Sequence, residues 1–197
     1  SKKKKKKMVE KQRKTKETQI ALKLEIYGRG DSNIDTKIGF FNHMLEAFSK
    51  HSLIDLNLQM SGDTHVDFHH SVEDAGIVLG MAFRDEIYPL SGVERFGNVV
   101  VVMDEAAVAC DVDLSNRPFL YYDGINSGKI GEFDAELTEE FFRAFAFNAS
   151  ITLHIQKLRG SNSHHIAEAT FKAVAVALRR ALAPNARVGV PSTKGVL

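Results

Sequence analysis

The stretch His69-His70-Ser71-Val72-Glu73 recurs 95 residues later as His164-His165-Ile166-Ala167-Glu168, and each copy opens a segment with helical periodicity. Positions i and i+4 share one face of a helix, so each first histidine would lie beside the glutamate of its own motif. Imidazole and carboxylate groups that come together twice are suited to two divalent metal ions. The repeat therefore predicts a duplicated unit and a site for two metals.

Length and composition suit a folded protein of one or two compact domains, with 197 residues of which 44% are hydrophobic. No apolar run approaches the ~20 residues that a membrane span requires. The Lys-rich start is not followed by the apolar segment of a secretory signal. The single cysteine, Cys110, excludes an internal disulfide and favours a reducing compartment. We therefore expect a cytoplasmic enzyme or binding protein.

The formal net charge of +1 hides an uneven distribution. Residues 1–16 contain ten Lys or Arg and one acidic residue, whereas the rest of the chain contains 16 basic and 24 acidic residues, a net of −8. An acidic body argues against a nucleic-acid surface spread over the fold. We expect residues 1–12 to form a basic disordered tail, and we assign no function to the run Lys2 to Lys7.

The similarity between the two halves extends beyond the two motifs. A helical pattern follows each motif and ends near Pro89 in one half and Pro184 in the other. A shorter amphipathic helix followed by a strand precedes each motif, namely Ile38–Phe48 with Leu53–Leu58, and Leu137–Phe147 with Ile151–Ile155. Strand patterns come before these helices, at Gln19–Ile26, Val99–Met103 and Ala106–Leu114.

Each half thus has the pattern β-β-α-β-α, and we predict an α+β fold built by tandem duplication. The first half would span residues 13–92 and the second residues 93–197. In each half a sheet would carry its two helices on one face, and the halves would pack as a pseudo-dimer.

Alignment of the halves adds a candidate ligand. If two residues are allowed for the longer loop Ser61–Phe68, His43 falls opposite Glu140. The candidate metal ligands are then His43, His69, His70, Glu73, Glu140, His164, His165 and Glu168. Imidazole and carboxylate ligands without a thiolate point to Mn, Fe, Co or Zn. A helix end with an acidic residue in its first turn would account for one such motif, but less readily for two matched ones.

The remaining histidines have separate interpretations. His51 follows His43 by two helical turns, and we include it as a candidate substrate contact. His154 lies in an apolar strand pattern and is expected to be half-buried. His65 lies in a polar loop and is expected at the surface.

Basic residues in loops suggest an anion site. Arg95, Arg117 and Lys194 all lie in turns, and forked or point-charge contacts from such residues suit a phosphate group. The chain has no P-loop, dinucleotide-binding fingerprint or nucleophile elbow.

Several motifs, taken in order, resemble the imidazoleglycerol-phosphate dehydratase family. The resemblance covers Arg13 to Leu197. Its motifs are Phe40–Leu45, His69–Asp74 with Leu79-Gly80, Arg95–Gly97, Met103–Ala106, His164–Glu168 and Ser192–Gly195.

This resemblance implies a hydro-lyase of histidine biosynthesis whose half-unit has the ribosomal protein S5 domain 2-like fold. It implies two Mn²⁺ ions per active site, with other divalent metals as alternatives. It also implies a homo-oligomer of 24 subunits, built from trimers, with active sites between subunits. No nucleic acid and no membrane is expected as a partner.

The resemblance also implies roles for individual residues. All the candidate ligands match family ligands except Glu140, where many members carry histidine; a carboxylate still ligates Mn²⁺, so we expect function to be retained. The candidate catalytic carboxylates are Glu17 and Glu168. The resemblance implies substrate contacts at Glu17, Arg95, Arg117, Ser192 and Lys194, to which the helical spacing from His43 adds His51 as a candidate.

The implied reaction is the dehydration of D-erythro-imidazoleglycerol phosphate to imidazole acetol phosphate. In this hypothesis an imidazolate bridges two metals, which act as Lewis acids, and Glu17 removes a proton as the general base. Two other classes remain open at this point. A dinuclear hydrolase would release phosphate, and a metal-storage cage would take up metal without forming either product.

Overall fold

The computed structural model describes residues 8–62, 68–125 and 127–197. The expectations for Lys2 to Lys7 and for His65 lie outside the described residues. None of the helices in the described ranges is long and apolar enough to cross a membrane.

The first half contains four strands and two helices. In chain order these are β1 (Val9–Lys14), β2 (Thr18–Glu25), β3 (Ser32–Asp35), α1 (Gly39–Ser52), β4 (Asp55–Gly62) and α2 (His69–Ile87).

The second half repeats this order with one small insertion. Its elements are β5 (Phe96–Met103), β6 (Ala106–Asp113), β7 (Phe119–Asp123), β8 (Lys129–Ile130), β9 (Phe133–Asp134), α3 (Glu136–Ala149), β10 (Thr152–Arg159) and α4 (Ser163–Ala181). The inserted β8–β9 hairpin pairs only with itself among the described residues. The predicted border between the halves falls in the segment that joins α2 to β5.

The two large sheets have the same topology, β1-β2-β4-β3 and β5-β6-β10-β7. In each sheet the last strand runs parallel to its neighbour and the others are antiparallel. The predicted α+β duplication is confirmed. The predicted half lacked one strand, because β3 and β7 are short edge strands without a clean alternation of apolar and polar residues.

The predicted disordered tail is wrong for residues 9–12, because β1 begins at Val9. This strand pairs antiparallel with β2 over its whole length, from Val9 opposite Leu24 to Lys14 opposite Gln19. Alternate residues of β1 are partly buried, which basic side chains achieve by laying their aliphatic stems against apolar surface. The high content of basic residues led us to predict disorder where the chain forms β1, an edge strand of the first sheet.

Helices fill the space between the two sheets. α1 and α2 contact the first sheet, α3 and α4 contact the second, α1 contacts α4, and α2 contacts α3. A cluster of phenylalanines joins these helices. Phe141 of α3 packs against Phe41 of α1 and Phe171 of α4, while Phe145 of α3 packs against Phe83 of α2. These rings are fully buried, at about 1.5–3 kcal/mol of transfer free energy each.

Two glycines of α2 allow its close approach to α3. A Cβ at Gly76 would lie 2.8 Å from the carbonyl oxygen of Phe141, and one at Gly80 would lie 2.7 Å from that of Phe145. Both separations are shorter than a carbon–oxygen contact allows, and backbone cannot swing aside as a flexible side chain can. The spacing of α2 and α3 therefore depends on the absence of side chains at these positions.

We expect Gly80→Ala to destabilise the protein by about 1–3 kcal/mol, because the added methyl group forces α2 away from α3. In an open helical position the same change stabilises by roughly 1 kcal/mol. Gly39→Ala at the start of α1, where a Cβ has no neighbour within 4 Å, is the matched control. The measurement is thermal or urea unfolding, and equal stability of the two variants would contradict the packing argument.

Candidate functional site

All four helices begin at the same end of the molecule. The Phe40 ring at the start of α1 lies 5.0 Å from that of Phe133, just before α3, and 5.3 Å from that of His164 in the first turn of α4. At the start of α2, His69 lies 3.0 Å from Glu140 of α3. Every candidate metal ligand lies in the first two turns of a helix, so the fold brings these residues to one end.

The first ligand group joins α1 to α4. Its members are His43, His164 and Glu168, whose ligand atoms all lie within 4.8 Å of one another. The Nε2 atom of His43 is 2.8 Å from Oε1 of Glu168. The Glu168 side chain is only 7% exposed, whereas both imidazoles are accessible, so the carboxylate forms the floor of an open group. A buried carboxylate beneath two imidazoles is a donor set that fits a divalent transition metal.

The second ligand group joins α2 to α3. The Nδ1 atom of His69 lies 3.0 Å from Glu140, and its Nε2 atom lies 3.3 Å from Glu136. Glu73 lines the same groove as Glu136 and Glu140. Asp134 and Glu136, neither of which we predicted as ligands, form a potential metal-binding group with His69.

The two groups are related by the internal duplication. His43 and Glu140 are each the fifth residue of a 14-residue helix. Both helices end in a left-handed residue, Leu53 with φ of 60° and Ser150 with φ of 57°. The structure thus places His43 and Glu140 at corresponding positions, as the alignment of the halves predicted. The correspondence is incomplete in one respect, since Glu168 is buried whereas Glu73 is exposed.

The second histidine of each motif stands apart from these groups. His70 Nε2 lies 3.8 Å from a carboxylate oxygen of Glu17, and His165 Nδ1 lies 2.5 Å from one of Glu105. The eight predicted ligands therefore do not converge on one point within a single chain. Three of them meet in the first group, and His69 and Glu140 meet in the second, with Glu73 in the wall of the same groove.

A buried aspartate places Glu17 beside His70. Asp74 of α2 accepts hydrogen bonds from the Thr18 hydroxyl at 2.5 Å and from Arg13 Nε at 3.1 Å. These bonds hold the β1–β2 hairpin over the start of α2. Glu17, in the turn of this hairpin, keeps an exposed carboxylate, with 62% of its side chain accessible. We did not predict this role for Asp74, because it depends on contacts between residues more than 50 positions apart.

Glu105 is a carboxylate near the candidate ligands that we did not predict, and three hydrogen bonds reach its side chain. Its side chain also accepts the backbone N–H of Ser161 at 2.8 Å. The pKa of the Glu105 carboxyl lies below its ordinary value, first because of the hydrogen bond with His165 and then because of the Ser161 amide.

The predicted anion-binding residues line one cavity of about 730 Å³. Arg95, Arg117, Ser192 and Lys194 are all in its wall, together with Ser115, Asn116 and Thr193. Arg95 is held in place by Asp113, at 2.7 and 3.2 Å, and by the Pro191 carbonyl at 2.6 Å. The hydrogen bonds to Asp113 raise the Arg95 pKa, so its charge is secure.

Of two other histidine predictions, the role of His51 as a substrate contact stays a prediction and the burial of His154 is wrong. His51 lies in the last turn of α1, about 12 Å along the helix axis from His43, and its carbonyl accepts a hydrogen bond from Arg179. Burial, followed by the charge of Lys172, lowers the pKa of His51. The prediction for His154 is wrong: this residue is exposed on the outer face of the second sheet, because Leu153 and Ile155 occupy the inner face.

The candidate ligand groups and the anion cavity lie at opposite ends of helix α4. The Arg95 amide donates to the carbonyl of Ala181, at the last residue of α4, whereas His164 lies in the first turn. With a rise of about 1.5 Å per residue, these two points on α4 are roughly 26 Å apart. One small molecule cannot touch both ends of the same chain.

Comparison with known proteins agrees with the resemblance seen in the sequence. The model of the family "Imidazoleglycerol-phosphate dehydratase" matches residues 36–178. A curated protein of that name from Campylobacter concisus is 68% identical over 186 residues, 94% of this chain and 95% of the relative. A relative of the same name from Campylobacter hominis is 66% identical over 190 residues, 96% of this chain and 100% of the relative.

Solved structures agree with the fold. The crystal structure of imidazoleglycerol-phosphate dehydratase from Staphylococcus aureus has a TM-score of 0.81 and 39% identity, covering 91% of this chain and 100% of the other. The Pyrococcus furiosus structure has a TM-score of 0.80 and 38% identity, covering 95% of this chain and 100% of the other. The chain therefore belongs to the imidazoleglycerol-phosphate dehydratase family, the hydro-lyases of that name in histidine biosynthesis.

Proposed function

We propose that the chain dehydrates D-erythro-imidazoleglycerol phosphate to imidazole acetol phosphate with two Mn²⁺ ions per active site, and that each site forms between subunits. The observation that carries the metal dependence is the convergence of His43, His164 and Glu168 within 4.8 Å. The corresponding group on α2 and α3 supplies the second set of ligands. When bound, two such ions supply Lewis-acid stabilisation of the substrate's imidazole ring as its anion.

The separation of the two ends supports a site shared between subunits. A substrate whose ring meets the ligand end of one chain must place its phosphate in a cavity from another, since the ends are roughly 26 Å apart within a chain. The second histidines support the same arrangement. His70 and His165 lie outside the two ligand groups of their own chain, and their side chains are 66% and 27% exposed, so both can be reached by a group on a neighbouring chain.

The outer faces of the two sheets support an oligomer. On the second sheet, large apolar residues are 45–65% exposed, namely Phe96, Val100, Val102, Phe119 and Tyr121. On the first sheet the corresponding surface is polar. Gln12 takes the place of Val100, since each is paired with an alanine of the next strand, Ala21 or Ala109. An apolar sheet face of this kind marks an interaction surface, and we assign it to a second copy of the chain.

The residues of the chain divide the remaining work. Glu168 is buried against His43 and lies 3.6 Å from Lys172, so it acts as a ligand and not as a mobile base. Glu17 is exposed beside His70 and serves as the general base. Arg95, Arg117 and Lys194 hold the phosphate, which fixes the reacting carbons against the base. A cytoplasmic location, which fits the unpaired and buried thiol of Cys110, completes the proposal.

We expect the protein, with Mn²⁺ and imidazoleglycerol phosphate, to form the ketone, and Glu17→Gln to lower kcat about 10²- to 10⁴-fold with both metals retained. Glu10→Gln, an exposed carboxylate on the neighbouring strand, is the control. The measurements are product formation and metal content.

The outcomes of this assay separate the classes. Near-normal turnover of Glu17→Gln with two metals bound would remove Glu17 from the role of base. Phosphate release by the unaltered protein without the ketone would favour the hydrolase. Metal uptake with neither product would favour storage.

We expect His43→Ala to lower the Mn²⁺ affinity of one of the two sites by at least about tenfold, because one of the three proposed ligands His43, His164 and Glu168 is removed. Glu46→Ala, an exposed residue one turn further along α1, leaves both sites intact. Metal analysis of reloaded protein measures the number of ions, and calorimetry measures their affinity. Two unaltered sites in His43→Ala would contradict the assignment of His43.

We expect Val100→Glu to reduce the size of the assembly, because a buried charge is introduced into the apolar contact. Gln12→Glu adds the same charge at the corresponding position of the polar sheet and leaves assembly unchanged. Light scattering coupled to size-exclusion chromatography measures both. Assembly of Val100→Glu at the size of the unaltered protein would assign the interface to another surface.

A further inference from the structure

The duplication places Glu105 at the position that Glu17 holds in the first half. Leu56 and Leu153 each follow the left-handed residue at the end of a helix by three positions. Leu56 pairs with Leu24, and Leu153 pairs with Val112. Counting back seven residues from Leu24 reaches Glu17, and counting back seven from Val112 reaches Glu105. Both carboxylates thus lie in the first hairpin turn of their sheet, and each faces the second histidine of one motif.

The two corresponding carboxylates have different contacts. The Glu17 side chain is 62% exposed, and its Oε2 atom is 3.8 Å from Nε2 of His70, which is too far for a hydrogen bond. Glu105 Oε1 is 2.5 Å from Nδ1 of His165, and its Oε2 accepts the N–H of Ser161 at 2.8 Å and of Asn162 at 3.4 Å. One carboxylate is therefore free for chemistry, and the other is fully engaged.

The backbone around Glu105 is shaped to hold it. Gly160 has φ of 133°, and a Cβ there would lie 3.0 Å from Oε2 of Glu105 and 2.9 Å from the Cβ of Ala106. The chain can wrap this carboxylate only because residue 160 has no side chain. Asn162 then caps α4, and its Oδ1 accepts the N–H of His165 at 3.0 Å. The backbone and the ring of His165 are both set by this wrapped segment.

The hydrogen bond to Glu105 determines which nitrogen of His165 is available. A ring whose Nδ1–H donates to a carboxylate presents the lone pair of Nε2 to a metal, and such a partner also orients the ring. Asp104 does not compete for Nε2 by a hydrogen bond, since its carboxylate oxygen is 3.6 Å away.

We propose that Glu105 is a positioning residue that holds His165 with Nε2 free to bind metal, while its counterpart Glu17 is left free to move protons. This inference rests on the proposed function, in which His165 is a metal ligand. The duplication thus supplied two corresponding glutamates, and their contacts separate a supporting role from a catalytic one.

The test is a Mn²⁺ titration of metal-free protein by calorimetry, together with thermal melting of the same samples. We expect Glu105→Ala to weaken binding at one site about 10- to 100-fold. Glu105→Gln keeps an oxygen acceptor for the ring N–H and is expected to lose less. Glu17→Gln, at the corresponding position, is expected to bind Mn²⁺ as the unaltered protein does. Glu132→Ala, an exposed carboxylate elsewhere, is the control.

A double-mutant cycle shows whether Glu105 acts through His165. We expect Glu105→Ala to cause no further loss of Mn²⁺ affinity in a His165→Ala background. A purely structural role would lower the melting temperature and weaken Mn²⁺ equally in both backgrounds, and would leave the visible spectrum of Co²⁺-loaded protein unchanged. That result, or unaltered affinity in Glu105→Ala, would overturn the inference. An unaltered protein that takes up no metal would overturn the proposed function and the inference with it.

Discussion

The mutual burial of helices from the two halves is the interaction on which the rest of the structure depends. Each half contains a four-stranded sheet and two helices, and these helices carry apolar residues on the side that faces the other half. Phe141 and Phe145 of α3 fill the space between the halves, and Gly76 and Gly80 let α2 approach α3 closely. The paired helices start together, so residues near their N-terminal ends meet. The packing of the core therefore brings the candidate metal ligands, which lie in the first two turns of the helices, to one end of the molecule.

Duplication explains the likeness of the two candidate ligand groups, although the two halves differ at several corresponding positions. The buried Glu168 corresponds to the exposed Glu73, and His43 corresponds to Glu140. Glu105 accepts hydrogen bonds from backbone N–H groups, whereas Glu17 is more open to solvent. The outer face of one sheet is polar and that of the other is apolar. The members of each pair thus differ in burial, in residue type or in contacts, and the proposed division of roles rests on these differences.

The distance between the two ends of the chain links chemistry to assembly. α4 carries candidate metal ligands in its first turns, and the carbonyl of its last residue accepts a hydrogen bond from the backbone N–H of Arg95, which lines the candidate anion cavity. A rigid helix of this length holds the two regions too far apart for one small substrate. The proposed shared site follows from this constraint, as does the need for an interface. Activity and assembly are then expected to fail together when that interface is disrupted.

Local patterns in the sequence determined the duplication, the four helices, the candidate ligand residues and the basic residues that line the cavity, because each is marked by periodicity or by a residue type within a few positions. The alignment even paired His43 with Glu140 correctly. Only the tertiary structure decided that Val9–Lys14 is a strand, that Asp74 and Glu105 hold the hairpins, and that ligands and cavity lie at opposite ends. These features depend on contacts between distant parts of the chain, and such contacts leave no local pattern.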